Sequence, residues 1–280
     1  MRRRRKYDFY LVIFLAVFTV GYFVYNHMSA ESRGVENYSE ALEAYKASDY
    51  EKAYEDFAKV PSGSTLKPPA LFRQARCATN MDKKELAIKK YNRIVHSSVK
   101  SSIAPISEYN MANLMFEIQD KGAKKHFKKI IKKYPTSDYA VASNYYLGLI
   151  EVSNPPKSER WLKKSKNRAF IYFKNYLEEA PDGRFALKTI DEIKKLGVQL
   201  TNYDNLLIAK SYYANGEYTK AKDYLNKTTL AESWSDFAKN EYKLGNKEKA
   251  NYYALQIRLT LMFMRLLTII LPLFRSAEMV

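Results

Sequence analysis

Cysteine is almost absent from this chain. Cys77 stands alone among 280 residues, so no disulfide can form within it. Its place on an apolar helical stripe suits a small buried hydrophobe. Histidine is nearly as scarce: His27, His96 and His126 lie far apart, none with a partner at metal-ligand spacing, so neither a metal nor another cofactor is expected. Nine glycines and nine prolines are too few for a sandwich rich in turns or for a low-complexity chain. No segment alternates apolar and polar residues for long enough to make a strand. Acidic residues are also in deficit, 30 against 47 Lys and Arg, leaving a net charge of +17. Such an excess either belongs to a solvated, lysine-rich surface or points to nucleic acid, an anionic membrane or an acidic polymer.

What is present starts at the N-terminus. Arg2-Arg3-Arg4-Arg5-Lys6 precedes an uncharged run from Phe9 to Tyr25, FYLVIFLAVFTVGYFVY. At 1.5 Å per residue this run reaches about 26 Å, close to the hydrocarbon thickness of a bilayer. The basic cluster would hold the N-terminus in the cytoplasm and send the rest across. A cleaved signal peptide is the competing reading. Its apolar core is usually shorter, and Met28 makes a poor residue ahead of a cleavage site after Ala30. A buried core helix fits badly with the arginines. The expectation is residues 1–30 as a basic tip and single-pass anchor in a bacterial-type cytoplasmic membrane, crossing at residues 9–25. Later residues would then lie outside the cytoplasm, which disfavours nucleic acid as a partner.

Beyond the anchor the chain repeats. Ala53 and Phe57 recur as Ala87 and Tyr91, a shift of 34 residues, with helical spacing inside each pair. A period of about 34 resembles the tetratricopeptide repeat, two antiparallel helices per unit. In that pattern a small residue in helix A lets helix B approach, an Ala early in helix B does the same, an aromatic four residues later fills the space, and a Pro ends the unit. Unit one has Ala41 and Ala44, a turn at Asp49-Tyr50, then Ala53, Phe57 and Pro61. Unit two has Ala75 and Ala78, a turn at Asn80-Met81-Asp82, then Ala87, Tyr91 and Ile94. Unit three carries Ala123, Phe127, Ile130 and Pro135. Unit four has Leu147-Gly148, an interruption at Pro155-Pro156 with an extra helical turn around Trp161, then Ala169, Phe173, Tyr176 and Pro181. One more helix, Phe185 to Leu196, precedes unit five, with Gly216 in its turn and Tyr218, Ala221 and Leu225 in helix B. Unit six places Trp234, Ala238 and Tyr242 in helix A, Gly245 in the turn and Ala250 in helix B. Gly216 and Gly245 suit left-handed caps. The fold expected is all-α: an N-terminal transmembrane helix followed by an α-α solenoid of about six helix pairs over residues 31–257.

The composition changes after Ile257. Leu259 to Phe274 reads LTLMFMRLLTIILPLF, in which lysine disappears and Pro272 interrupts the run. Three readings of residues 258–280 compete: a hydrophobic helix covering the end of the solenoid, a second membrane-associated segment, and a non-native tail.

A closer resemblance covers about residues 35–255. ALFRQARCATNMDKKELAIKKYNRIV, IIKKYPTSDYAVASNYYLGL and YFKNYLEEAPDGRFA resemble the non-catalytic superhelical region of lytic murein transglycosylases. NLLIAKSYYANGEYTKAKDYLNK and WSDFAKNEYKLGNKEKANYY are similar to the last helical pairs before the catalytic domain of that family. The resemblance implies a link to peptidoglycan and a catalytic Glu-Ser pair followed by Gly-Leu-Met-Gln. Here Glu31-Ser32 and Glu232-Ser233 exist without that stretch. Both glutamates read as structural, and the chain is not expected to cleave peptidoglycan, since a carboxylic acid in a formed cleft must protonate the glycosidic oxygen. The alternative is the N-terminal portion of such an enzyme, its catalytic domain missing from this chain.

Solenoids bind along the surface lined by helix A. The residue after the small helix A position faces that groove in tetratricopeptide proteins, here Leu42, Arg76, Ala112, Leu149, Lys210 and Lys239. Arg76, Lys210 and Lys239 would make it partly cationic, suited to a protein or peptide carboxylate or to the acidic stem peptides of the cell wall. A denser cluster, Lys124, Lys125, Lys128, Lys129, Lys132 and Lys133, surrounds the apolar stripe of Phe127, Ile130 and Ile131 and suits an anionic lipid or polymer surface. Solvated cations are the competing reading for both sets.

Overall fold

The computed structural model describes residues 2–97, 102–153, 155–229 and 233–277, with side chains from Ile13 to Leu266. Thirteen α-helices and no strand occur among them. They are α1 (Arg2–Lys46), α2 (Tyr50–Lys59), α3 (Lys67–Asn80), α4 (Lys84–Val95), α5 (Ala104–Glu117), α6 (Ala123–Lys133) and α7 (Asp138–Ser153). The rest are α8 (Glu159–Glu179), α9 (Ala186–Leu196), α10 (Asn202–Ala214), α11 (Tyr218–Leu225), α12 (Trp234–Lys243) and α13 (Lys247–Ala277). The chain divides into two compact units, Met1–Tyr134 and Pro135–Val280.

Five of the six helix pairs turn on one left-handed residue; the α7–α8 connection holds residue 154, outside the described residues. Ser48, Asp82, Gln119, Gly216 and Gly245 all have positive φ. An αL residue at a helix end reverses the chain and frees the next helix to fold back. Glycine adopts it without a Cβ penalty, whereas Ser48, Asp82 and Gln119 adopt it at about 1–2 kcal/mol each. The turn of unit one therefore starts at Ser48, one residue before the expected Asp49. Asp49 instead caps α2, its side chain accepting the Lys52 amide at 3.0 Å.

Counting from these turns brings out a tighter rule than the period. Ala41, Ala75, Ala112, Ala209 and Ala238 stand seven residues before their turn residue. Ala53, Ala87, Ala221 and Ala250 stand five after it, and Ala123 four after. All but Ala238 are buried. Methyl-sized side chains on both helices let the backbones approach, and aromatic rings one turn later fill the space. Phe57, Phe127 and Phe173 are fully buried there, and Tyr91 nearly so. Unit four uses Gly148 in helix A, where an added Cβ would lie 2.3 Å from the Phe173 ring.

In the first unit, α1 pairs with α2, α3 with α4 and α5 with α6, with one core cluster around Phe57 and Cys77. Cys77 is buried, and burial pushes its thiol up to about 11. In the second, α7 pairs with α8, α10 with α11 and α12 with α13, with a core around Phe173, Leu177 and Ile190. The interruption expected at Pro155-Pro156 is present, and α8 begins well ahead of Ala169, so the added turns around Trp161 extend helix B. Gly197 ends α9 with φ 64°. In α12 the expected Tyr242 is 65% exposed, and Phe237, Asn240 and Glu241 form the buried face instead.

The outer helices run past the expected boundaries. α1 is unbroken from the basic tip to Lys46, so the apolar run and helix A of unit one are one helix. Phe14, Phe18 and Phe23 are more than 60% exposed. The stretch Ile13–Lys46 is long and apolar enough to cross a membrane, and only 6% of its most apolar window is buried, unlike a core helix. α13 continues from helix B of unit six into the tail. Leu259, Leu261, Met262, Phe263, Met264 and Leu266 are all exposed, so the described part of the tail does not cover the solenoid.

One loop ties α1 down just beyond its apolar run. The Ser64 hydroxyl and the Thr65 amide and hydroxyl donate to the Glu31 carboxylate, holding it below the usual carboxylate range. Asn37 donates to the Lys59 carbonyl at 3.0 Å. Gly34 makes room, since a Cβ there would lie 2.3 Å from the Ser64 Oγ.

The tightest test of the small-residue rule is Gly148→Ala. The Phe173 ring is fully buried and cannot retreat without displacing its neighbours, so the variant should lose about 1–3 kcal/mol. A lower urea midpoint for the second unit, with helical circular dichroism retained, is the expected result.

Candidate functional site

Arg76 lies on α3, one residue after the buried Ala75, and is exposed. Its guanidinium sits 5.7 Å from the Tyr45 ring centre, with that of Arg73 at 5.3 Å, so Tyr45 orients both cations. Beside Arg76 a cleft of about 300 Å³ opens between α3 and α5. Thr79 and Asn80 come from α3, Asn110, Asn113 and Glu117 from α5, and Tyr91 from α4. Asn110 donates to the Tyr91 hydroxyl at 3.4 Å, and Lys84 pairs with Glu117 at 3.1 Å. The Asn113 Oδ1 is buried without a hydrogen-bond partner among the described residues. Three amides and one guanidinium thus face a single hollow.

Asn113 was missed because unit three departs from the 34-residue period, Ala112 following Ala75 by 37 residues. Its small helix A residue is Ala112, fully buried, and not the residue before it. Ala112 therefore cannot line a groove, and Asn113 takes the position that Arg76 holds in unit two. The left-handed Gln119 carries the signal, but only Gly or Asn would have announced it in sequence.

Lys210 and Lys239 belong to the second unit and are described apart from Arg76. Each follows its small residue, Ala209 or Ala238, and each is exposed. Lys210 lies 3.7 Å from Asp236 on α12, and Lys239 has no ion-pair partner among the described residues.

The lysine cluster on α6 is divided by its helix geometry. Lys125, Lys128 and Lys132 are exposed on the side opposite Ala123, Phe127 and Ile130. Lys133 lies 5.2 Å from the Tyr134 ring centre, and Lys124 is half-buried. Lys129 is turned inward: its ammonium pairs at 2.7 Å with Glu108 of α5, a fully buried carboxylate that His126 also meets at 3.2 Å.

That inward pair recurs, and composition alone does not disclose it. Glu151 of α7 meets Arg168 of α8 at 2.7 Å and accepts from Ser165. Asp204 of α10 meets Lys174 of α8 at 2.8 Å. Glu241 of α12 meets Lys222 of α11 at 2.7 Å and accepts from Asn246. In each case an acid on a helix A is buried against a cation on a helix B. Burial raises the carboxyl pKa of Glu108, Asp204 and Glu241, but the hydrogen bonds and cations outweigh it and hold all three below their usual range.

Glu31 is consumed by Ser64 and Thr65, so it is no free acid. Glu232 lies outside the described residues. No group of three His, Cys, Asp or Glu capable of holding a metal occurs among the described residues.

Comparison with known proteins finds one family. A tetratricopeptide-repeat model matches residues 69–100, 107–137 and 205–229, which are units two, three and five. The cleft beside Arg76 lies between the first two of these. No curated protein matches the chain.

The buried acids set an acid limit. Because the folded-state pKa of Glu108 is depressed, its contribution is present above its ordinary value of 4.5 and lost as pH falls through the lower folded value. Thermal unfolding followed from neutral pH downwards should show stability dropping below about pH 4.5. Glu108→Gln should be less stable at neutral pH, leaving Lys129 without its charge partner, and should flatten that acid limb.

Proposed function

We propose that this chain is a single-pass membrane protein that displays a tetratricopeptide solenoid outside the cytoplasm as a non-catalytic scaffold for polypeptide partners in the cell envelope. The cleft beside Arg76 carries this reading. A carboxamide offers one donor and one acceptor in a plane, which matches the alternating C=O and N–H groups of an extended peptide. Asn80, Asn110 and Asn113 supply three of these, and Arg76 adds a planar cation suited to a carboxylate. Lys210 and Lys239 extend the preference for acidic polypeptide in the second unit. Lys124, Lys125, Lys128, Lys132 and Lys133 offer an anionic polymer such as peptidoglycan with acidic stem peptides a second contact; Lys129 is held by Glu108.

The anchor and its direction rest on residues 9–25 and the basic tip. Arg2 to Lys6 favour a cytoplasmic N-terminus. A cysteine placed by Thr219→Cys, exposed on α11, reports the direction because the native Cys77 is buried. It should react with a membrane-impermeant maleimide on intact spheroplasts; reaction only after lysis would reverse the topology. For the cleft, the full chain in detergent should bind acidic peptides from an array. Arg76→Ala and Asn113→Ala should each weaken that binding about tenfold, the effect of losing one charged or buried hydrogen bond. Unchanged affinity in both variants would remove the cleft from the binding surface.

A further inference from the structure

A second hollow lies on the same unit, at the end nearer the apolar run of α1. It measures about 640 Å³ and is walled by the α2–α3 loop, the start of α3, the end of α4 and the start of α5. We propose that it binds the phosphate of an anionic phospholipid headgroup, a reading that rests on α1 being a membrane anchor.

Its lining carries two cations. Lys67 and Arg93 line it, together with the hydroxyls of Ser62, Ser97 and Ser102, and no carboxylate is among the described lining residues. The Glu31 carboxylate, outside the lining, is taken by Ser64 and Thr65. Lys67 is held in place by the Ala58 carbonyl at 3.2 Å and by the Val60 carbonyl, so it stands fixed at the wall with a proton to spare. Burial first, and then Arg93 and Lys90, push its ammonium pKa down. Arg93 is exposed and has no ion-pair partner among the described residues. The N-termini of α3 and α5, each 14 residues long, end at this hollow. At α3 the Leu66 and Lys67 amides are taken by the Ser64 hydroxyl and carbonyl, so that end offers a field and not free donors. Their dipoles add positive potential. Leu71, Ile94 and Ile103 give the same hollow an apolar side, as a lipid's glycerol and first methylenes require and a bare inorganic ion does not.

Position selects the lipid. Ser64 and Thr65, which wall the hollow, are the residues bound to Glu31. Glu31 follows Tyr25 by six residues, about 9 Å along the helix. The headgroup layer on each side of a bilayer is roughly 5–7 Å thick, so this wall stands at its outer edge. Tyr45, beside Arg76, is about 21 Å further along α1, beyond the reach of a headgroup. The two hollows of this unit are therefore separated by height as well as by charge.

The test uses the full chain in lipid nanodiscs, with a photo-crosslinking residue in place of the exposed Ser62. Phosphatidylglycerol should be labelled about tenfold more than phosphatidylcholine, and Arg93→Glu should remove most of that difference. Lys188→Glu, the same charge change on an exposed α9 residue, should leave it intact. Equal labelling of the two lipids, or labelling unaffected by Arg93→Glu, overturns the proposal. Labelling that inorganic phosphate abolishes regardless of lipid composition assigns the hollow to free phosphate and overturns the lipid source. The anchor is tested separately by carbonate extraction of membranes carrying the chain. If carbonate releases it, the anchor reading fails, and a thermal shift with inorganic phosphate, present in the wild type and lost in Arg93→Glu, would show that the anion chemistry stands without it. Absence of that shift sinks the anion site as well.

Discussion

The repeat array depends on the close approach of the two helices of a pair, which small side chains allow: alanine in most units, Gly148 in unit four. Ala41 and Ala53, Ala75 and Ala87, Ala112 and Ala123 and Ala209 and Ala221 stand seven residues before a left-handed turn and five after it, four for Ala123. Larger residues at either position would hold the backbones apart and leave the aromatic ring of helix B without a floor. With the helices close, each buried Phe contributes about 1.5–3 kcal/mol of apolar burial. No single pair buries enough to stand alone, so stability is shared with the neighbours on which it stacks. Gly148 shows the limit of the rule: where Phe173 fills the space completely, even a methyl group is too large.

Charge is organised both within the helix pairs and between neighbouring ones. The formal excess of +17 suggests a uniformly cationic surface, yet four buried acids each draw a cation inward. Desolvating such a pair costs nearly as much as its attraction returns, so its net contribution to stability is small while its loss on one side is severe. What these pairs do supply is register. An acid on helix A meets its cation at only one axial offset of helix B, and a slip of one turn would leave a bare carboxylate in the core. Cations outside such pairs include Arg93 near one end of the first unit, Arg76 further along it, Lys125, Lys128 and Lys132 on the outer face of α6, and Lys239 in the second unit.

Most of helix B was legible because Ala followed by an aromatic four residues later is a packing requirement written in side-chain volume. Helix A was harder. Its small residue is one of several alanines, and only the turn identifies which one counts. Gly216 and Gly245 announce that turn, whereas Ser48 and Gln119 adopt the same backbone against their intrinsic preference, imposed by the packing of the helices they join. The longer spacing into unit three concealed Asn113 and with it half of the candidate cleft. Arg76 was visible because its unit keeps the regular spacing. The buried acid and base pairs were not, since an isolated Glu in a helix reads as solvent-facing until its partner's position in space is known. The helix ends of α1 and α13 were hidden for a simpler reason. Between Tyr25 and Leu42 the sequence has no Pro and only Gly34 as a weak breaker, so nothing stops a helix that began in the apolar run.

That continuity bears on the proposed function. A binding domain on a flexible linker samples a volume, whereas one that grows out of its anchor helix samples a surface. Here the last turns of α1 are helix A of the first repeat, and the loop clasp on Glu31 braces the helix within two turns of the apolar run. Tyr45 stands about 30 Å along the helix from Tyr25. If α1 spans the membrane, the cleft beside Arg76 is carried at a height set by helix geometry, and only partners that present a peptide at that height are met without bending the anchor. The clasp loop, with Lys67 and Arg93 behind it, then lies where headgroups begin. A lipid held there would brace the same helix from the side and keep that height constant, so anchoring and recognition would draw on one rigid element.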